Sequence, residues 1–298
     1  MSARHVWRFA RQCMGSEVVL GGGQFVRDRT SYRALGGILI AALAARLTGG
    51  RVVARGLGVS RMHSTGRKLL FWAILFLAQP VRLRDAESLA NLKRWGFGLR
   101  TRVTMDMAFL ASPLMMRLFP PRDVHPAAEP HIVIAPCEDT GEHRAIVGPA
   151  LDALLRAACG ELGTRRVRIA CHDPRHGMDM VAARRIAERY PDLEVDIVET
   201  TSLDALAQAY REAALVLSNR LHAVIFAAYA DAPTIAFSRA GGKLVPFASA
   251  LGIDTVCPDH ACPADEATLV VARSLKFDRA DRRARRIAMS EAANLNLV

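Results

Sequence analysis

The sequence predicts an α/β protein with two parallel-sheet domains, and three observations predict it. Short apolar runs alternate with stretches of helical spacing along nearly the whole chain, the pattern of parallel strands joined by crossover helices. Pro120, Pro121, Pro126 and Pro130 crowd a polar, aperiodic stretch, which marks a domain boundary and divides the chain into residues 1–122 and 123–298. Ala213 to Phe237 reads as one complete βαβ unit: an apolar strand ending in Ser-Asn, a helix from Leu221 to Ala230, an Asp231-Ala-Pro turn and a second apolar strand. With 298 residues and 51% hydrophobic content, the chain can bury a core in each half.

The elements follow in order. Glu17 to Leu20 reads as a buried strand ending in a tight turn at Gly21, Gly22 and Gly23. Thr30 or Ser31 caps a helix to about Leu47, which Thr48-Gly49-Gly50 ends. Arg51 to Arg55 is a strand with Gly56 and Gly58 in the loop after it. A helix over 66–78, a strand at Val81 to Arg84, a helix from about Asp85 to Trp95 and a strand at Arg102 to Met105 complete the first half. The second half opens with a strand at His131 to Ala135, then a helix from about Val147, a strand at Arg166 to Ala170, a helix from Asp179 and a strand at Leu193 to Val198. A helix capped by Thr201 or Ser202 precedes the βαβ unit, Ile253 to Val256 is a last strand, and the tail from Asp265 is helical with Arg282, Arg283, Arg285 and Arg286 on a solvated face.

Charge separates the halves. Residues 1–130 carry 20 Lys plus Arg against 7 Asp plus Glu, and residues 131–298 carry 20 against 22, so the first domain is the basic one. Such a surface suits anionic partners, but only four of the forty basic residues are lysine and no zinc-finger, basic-zipper or stacking-platform pattern accompanies them, so nucleic acid is not an expected partner. Six scattered cysteines and a start without a signal-peptide pattern point to a cytoplasmic protein. Cys257, His260 and Cys262 lack zinc spacing, and no metal is expected. The apolar runs Ala34 to Ala45 and Leu69 to Val81 fall short of a membrane span. They are expected to be core helices, with Leu69 to Leu77, flanked by Arg67 and Lys68, as the segment for a peripheral contact at the inner face of a membrane.

The loop that carries chemistry is Ser218 to His222. In a βαβ unit it lies at the carboxyl edge of the sheet, where the next helix turns its unpaired N–H groups outward. Arg220 and His222 there suit a ligand with carboxylate or phosphate oxygens, the amide near Leu221 helping. The same residues would serve structure if Arg220 paired with a carboxylate and His222 with a carbonyl. Arg84 repeats the geometry in the first half, with pairing to Asp85 or Glu87 as its structural use. Asp28 is a capping residue or a contact, Lys243 lies in a glycine-rich loop, and His172 and His176 lie on a loop after a strand.

Four stretches carry a resemblance. Ser218 to Ala236 with Lys243 after it, Val18 to Ser31 (VVLGGGQFVRDRTS), Val81 to Gly96 (VRLRDAESLANLKRWG) and Val103 to Leu110 (VTMDMAFL) resemble, in the right order, the motifs of the polysaccharide pyruvyl transferase family. The resemblance implies two Rossmann-like domains of GT-B-like architecture. Relatives usually have a further β-α segment before the triple-glycine strand, so the first domain is expected to be short by a strand or more. The implied activity moves the pyruvyl group of phosphoenolpyruvate onto a sugar of a bacterial exopolysaccharide or cell-wall precursor as a ketal, with no cofactor. Arg220, Leu221, Arg84 and Lys243 are then donor contacts and His222 the proton donor. Gly22, Gly23, Asp28 and His172 are expected on the acceptor side, where a saccharide, lipid-linked or not, binds. The competing readings are a GT-B glycosyltransferase using a nucleotide-sugar and a catalytically idle relative that binds a saccharide or a partner enzyme.

Overall fold

The computed structural model describes residues 3–96, 98–110, 112–120, 130–137, 146–173, 178–199, 202–240 and 242–297. His176 and the expected boundary at 122/123 lie outside them. The chain forms two compact units, residues 1–110 with 288–298, and residues 111–287.

The first unit runs α1 (Ala3–Cys13), β1 (Glu17–Val26), α2 (Tyr32–Leu47), β2 (Arg51–Val59), α3 (Thr65–Leu77), β3 (Val81–Leu83), α4 (Ala86–Lys93) and β4 (Thr101–Val103), then a 3-10 turn at Met107–Phe109. Its sheet is parallel in the order β1-β2-β3-β4. Each crossover helix starts on a side-chain cap: Ser31 Oγ accepts from the Ala34 amide, Ser64 Oγ from Arg67 and Asp85 from Ser88. Leu35, Phe71, Ile74 and Leu75 then pack on Val26, Leu57, Val81 and Leu83 to form the core.

Two expectations fail here. The triple glycine is not a turn after β1 but part of it, because β1 and β2 stay paired through Gly23 and Leu57 as far as Val26 and Val59. A Cβ on Gly21 would overlap the Arg55 carbonyl oxygen, so glycine lets the strands close up there. Gly22 and Gly23 have φ of 80° and 83°, where side chains are strained, so the strand bends without ending. Gly56 and Gly58, expected in a loop, likewise belong to β2.

The second unit runs α5 (Pro113–Leu118), β5 (His131–Ala135), α6 (Pro149–Leu162), β6 (Arg166–Ala170), α7 (Asp179–Arg189), β7 (Glu194–Val198), α8 (Leu203–Arg211), β8 (Ala213–Ser218), α9 (Leu221–Tyr229), β9 (Thr234–Phe237), α10 (Leu244–Ala250), β10 (Asp254–Val256), α11 (Ala264–Leu275) and the start of α12 (Arg279–Asn294), whose residues from 288 on belong to the first unit. Its six strands are parallel in the order β10-β9-β8-β5-β6-β7. The core lies between Ile132, Ile134, Leu215, Leu217 and Ile235 of the sheet and Leu151, Leu154 and Ile186 of the helices. The chain builds outward from β5 to β7, then returns to lay β8 on the other side of β5. That reversal is a topological switch point, where a crevice opens at the carboxyl ends of the strands.

The units divide the chain differently from residues 1–122 and 123–298. Residues 111–120 belong to the second unit because Phe119 packs edge-on against Phe226, ring centroids 5.4 Å apart, and stacks on Tyr229. Residues 288–298 belong to the first because Asn296, fully buried, accepts from the Gly56 amide and Thr104 Oγ1 at 2.8 Å each and donates to the Met105 carbonyl. Arg282 is also corrected: it is buried, donates to the Ala232 carbonyl and lies 3.8 Å from the Phe277 ring centroid, and desolvation lowers its pKa to about 10.

Candidate functional site

At the carboxyl edge of the second sheet, each residue from Ser218 to His222 has a separate task. Ser218 Oγ, buried at the end of β8, donates to the Ala135 carbonyl and accepts from the Arg220 amide at 3.0 Å. Asn219 closes two bonds on one residue of the β5 loop, accepting from the Cys137 amide at 2.7 Å and donating to its carbonyl at 3.1 Å. These bonds lock the two loops that flank the switch point. Arg220 then occupies the N-cap of α9 in an extended conformation without capping it by its side chain, which leaves the first turn's donors directed at the crevice.

The Arg220 guanidinium is held by Asp179, the first residue of α7, through an ion pair between Nη2 and Oδ1, and Nε points at the Pro136 carbonyl. Asp179 is fully buried, and its second oxygen accepts from the amides of His172 and Asp173 at 2.9 and 2.8 Å. Burial raises its carboxyl pKa, with the guanidinium and both amides pulling the other way. Among the described residues no bond is made by its Nη1. Arg220 is thus paired with a carboxylate, the structural use foreseen for it, at the sheet edge where ligand binding is expected.

His172, expected on the acceptor side, lies in this cluster. Its Nε2 lies 2.6 Å from the Tyr210 hydroxyl, and its ring packs against Tyr210 and Phe226. Burial, then the charges of Arg220 and His222, lower its pKa to about 3, so it is neutral at ordinary pH. Burial also raises the Tyr210 hydroxyl well above its usual value and pushes the Cys171 thiol up to about 12. Neither can serve as a ready proton donor or nucleophile. His222 is the exposed titratable group in the first turn of α9, Leu221 beside it is half-buried, and half-buried Lys243 stands at the N-cap of α10, after the neighbouring strand β9.

The motifs of the first unit also gather at a carboxyl edge, but their bonds are internal. Arg84 is buried at the end of β3, where Nε donates to Asp85 at 2.9 Å, Nη1 to Asp106 at 3.3 Å and Nη2 to Gln24 Oε1 at 2.8 Å. The structural use, pairing with Asp85, is the one observed. Asp85 caps α4, Asp106 caps the 3-10 turn, and Ser88 Oγ accepts from the Val59 amide at 2.9 Å, so two of the motifs form one buried network. Gly58 leaves room for it: a Cβ there would lie 2.9 Å from the Arg84 guanidinium carbon. Asp28 accepts from the amides of His63 and Ser64 at 3.3 Å, holding the start of α3, and Gly22 and Gly23 shape the strand.

Asp179, Asn219 and Tyr210 were missed from sequence, as were Gln24 and Gly58. An Asp opening a helix just after a strand is a signal that could have been used for Asp179. The other four have no local signature, since these partners lie 26 or more residues away.

A family profile described as polysaccharide pyruvyl transferase matches residues 3–241. The chain belongs to this family. Arg84, Asp85, Ser88 and Asp106 of this pyruvyl transferase family member form one buried network, while its Arg220-Leu221-His222 triplet opens α9 at the end of β8. No curated protein matches the sequence. Among solved structures, Anabaena HepE in complex with UDP is similar with a TM-score of 0.57 and 14% identity, covering 99% of this chain and 78% of that one. The Neisseria meningitidis UDP-GlcNAc 2-epimerase bound to UDP-GlcNAc gives 0.56 and 12%, covering 100% and 82%. The Methanocaldococcus jannaschii UDP-GlcNAc 2-epimerase gives 0.57 and 11%, covering 94% and 77%. At such identities the likeness shows the fold, which is GT-B with Rossmann-like domains. Among the described residues no helix is long and apolar enough to cross a membrane.

Proposed function

We propose that the protein transfers the pyruvyl unit of phosphoenolpyruvate onto two hydroxyls of a sugar in a bacterial exopolysaccharide or cell-wall polysaccharide precursor, forming a cyclic ketal and releasing phosphate. The observation that carries this reading is the locked Ser218 to His222 loop at the switch point, with Arg220 held in place by Asp179 and the open end of α9 beside it. Family membership supports it.

In this reading Nη1 of Arg220, the amides near Leu221 and the Lys243 ammonium hold the donor's carboxylate and phosphate. A helix N-terminus alone favours neutral His222, whereas an arriving anion favours its protonated form, so donor binding prepares the acid. His222 gives its proton to the methylene carbon, and the adjacent carbon becomes electrophilic. One sugar hydroxyl attacks that carbon and a second replaces the phosphate. Of the two hydroxyl protons, one restores His222 and the other leaves with phosphate. Neutral His172 takes no proton and serves as a wall behind Arg220.

Phosphoenolpyruvate titrated calorimetrically into wild type, Arg220→Ala and His222→Ala tests this. Wild type is expected to bind, Arg220→Ala to lose binding, and His222→Ala to bind while losing phosphate release with an acceptor. Folded wild type that gives no heat with phosphoenolpyruvate overturns the reading. A second reading, nucleotide-sugar glycosyl transfer, draws on the UDP and UDP-GlcNAc complexes of proteins with this fold, and heat with UDP in the same titration would favour it. Binding without turnover on any acceptor would favour an idle binding protein.

A further inference from the structure

The helices of the first unit leave an apolar face that its core does not use. Along α2 the inward positions Leu35, Ala41, Ala42 and Ala45 are buried, yet the opposite positions Ile40, Leu43 and Leu47 are apolar too. Along α3, Phe71, Ile74 and Leu75 are buried, while Leu69, half-buried Trp72 and Phe76 lie at outward spacing, the Trp72 and Phe76 rings 5.5 Å apart. The helices run side by side in the same sense. Tyr32 meets Ser64 at their starts, and Arg46 and Phe76 line one pocket at their ends. Six apolar side chains therefore share one face, with Leu47 82% and Phe76 53% exposed. A soluble surface seldom presents such a patch without a partner.

The second observation is the pocket at the end of this face. It has a volume of about 240 Å³, and Arg46, Arg51 and Arg82 line it together with Phe76 and Gln79. No acidic side chain is among its lining residues. Residues 1–110 and 288–298 together carry 18 Lys plus Arg against 6 Asp plus Glu, so the surroundings reinforce the pocket. Phe76 belongs to both features, joining apolar ridge to cationic pocket.

The geometry points to docking of this α2/α3 face on an anionic lipid surface, the apolar ridge entering the acyl boundary and the three arginines meeting lipid phosphates. A leaflet supplies both chemistries at the spacing found, hydrocarbon beside phosphate. The cations differ from the two flanking residues considered from sequence. Arg67 is occupied with the Thr30 carbonyl and the Tyr32 ring, and half of the Leu69 to Leu77 segment faces the core. The inference uses none of the groups assigned to the donor, so either can fail alone.

Flotation of the full chain with vesicles of phosphatidylcholine alone, or mixed with phosphatidylglycerol, tests it. Wild type is expected to float with the anionic vesicles, less so as salt rises. Arg46→Gln/Arg51→Gln/Arg82→Gln is expected to lose roughly 100-fold in affinity for them, at about 1 kcal/mol for each basic residue near the surface. Leu47→Glu/Phe76→Glu is expected to lose roughly tenfold or more, with its melting midpoint and its heat with phosphoenolpyruvate unchanged. Folded wild type that stays with the buffer, or a triple Arg variant that floats like wild type, overturns the inference. So does a dimer in vesicle-free light scattering that Leu47→Glu/Phe76→Glu converts to monomer, because a second copy would then cover the face. Saturable binding of inorganic phosphate, lost in the triple variant, without flotation would assign the pocket to a free anion instead.

Discussion

At the scale of single residues, the Arg220–Asp179 pair decides how the site can be studied. Removing either partner strands the other charge away from water, so Arg220→Ala is expected to cost about 3 kcal/mol or more in urea unfolding. Arg220→Ala/Asp179→Ala should recover much of that stability while leaving phosphoenolpyruvate binding lost. Recovery of binding in the double variant would show that Arg220 serves stability alone. His172 gives a second prediction at this scale. Its pKa falls from 6.5 unfolded to about 3 folded, so between those values the unfolded chain binds the extra proton and stability declines as pH falls from 6.5. His172→Phe is expected to lower stability at neutral pH, by stranding the Tyr210 hydroxyl, and to flatten the decline by up to about 1.4 kcal/mol per pH unit. A wild-type unfolding midpoint that does not move between pH 6.5 and 5 would place the imidazole in water instead.

At the scale of elements, the close approach of strands in the first unit sets what each glycine can become. A Cβ at Gly58 meets the Arg84 guanidinium and, at 3.0 Å, the Gly23 carbonyl oxygen, so Gly58→Ala is expected to cost about 1–3 kcal/mol in thermal unfolding. Gly36, inside α2, has no atom within 4 Å of an added Cβ, and Gly36→Ala is expected to stabilise by about 0.5–1 kcal/mol. Opposite signs at two glycines of one unit separate packing from backbone entropy. Legibility divides along the same line. The βαβ unit from Ala213 to Phe237 was readable because a capless helix between two apolar runs is a local pattern, and it came out as β8, α9 and β9. The glycine run was misread because whether Gly21 to Gly23 turn or continue depends on β2, whose Arg55 and Leu57 lie more than 30 residues on.

At the scale of the molecule, the last residues of the chain complete its first unit. Asn296 joins Gly56 of β2 to Thr104 and Met105 after β4, and Ser290 donates to the Phe109 carbonyl at 2.6 Å. Asn296→Ala would leave the buried Gly56 amide without its acceptor, at about 1–3 kcal/mol, while Thr104 Oγ1 keeps the Leu83 carbonyl at 3.1 Å. Hydrogen exchange is expected to quicken at Gly56 and across 104–107 in that variant while β5 and β8 keep their protection. Equal quickening in both units would mean that they unfold as one.

The sequence by itself determined the elements, their alternation into parallel sheets and the loop that carries Arg220 and His222, because apolar period, caps and turn residues act over a few neighbours. It also separated a basic first half from a balanced second, since charge is a matter of composition. Tertiary structure alone decided which of the motif residues are enclosed by acceptors. Arg84 directly follows β3 and Arg220 lies two residues after β8, yet three acceptors in the first unit enclose Arg84, while Asp179 holds Arg220 through Nη2 alone. That difference rests on partners brought from 22 to 60 residues away, and long-range pairing is a property of the folded chain rather than of any stretch of it.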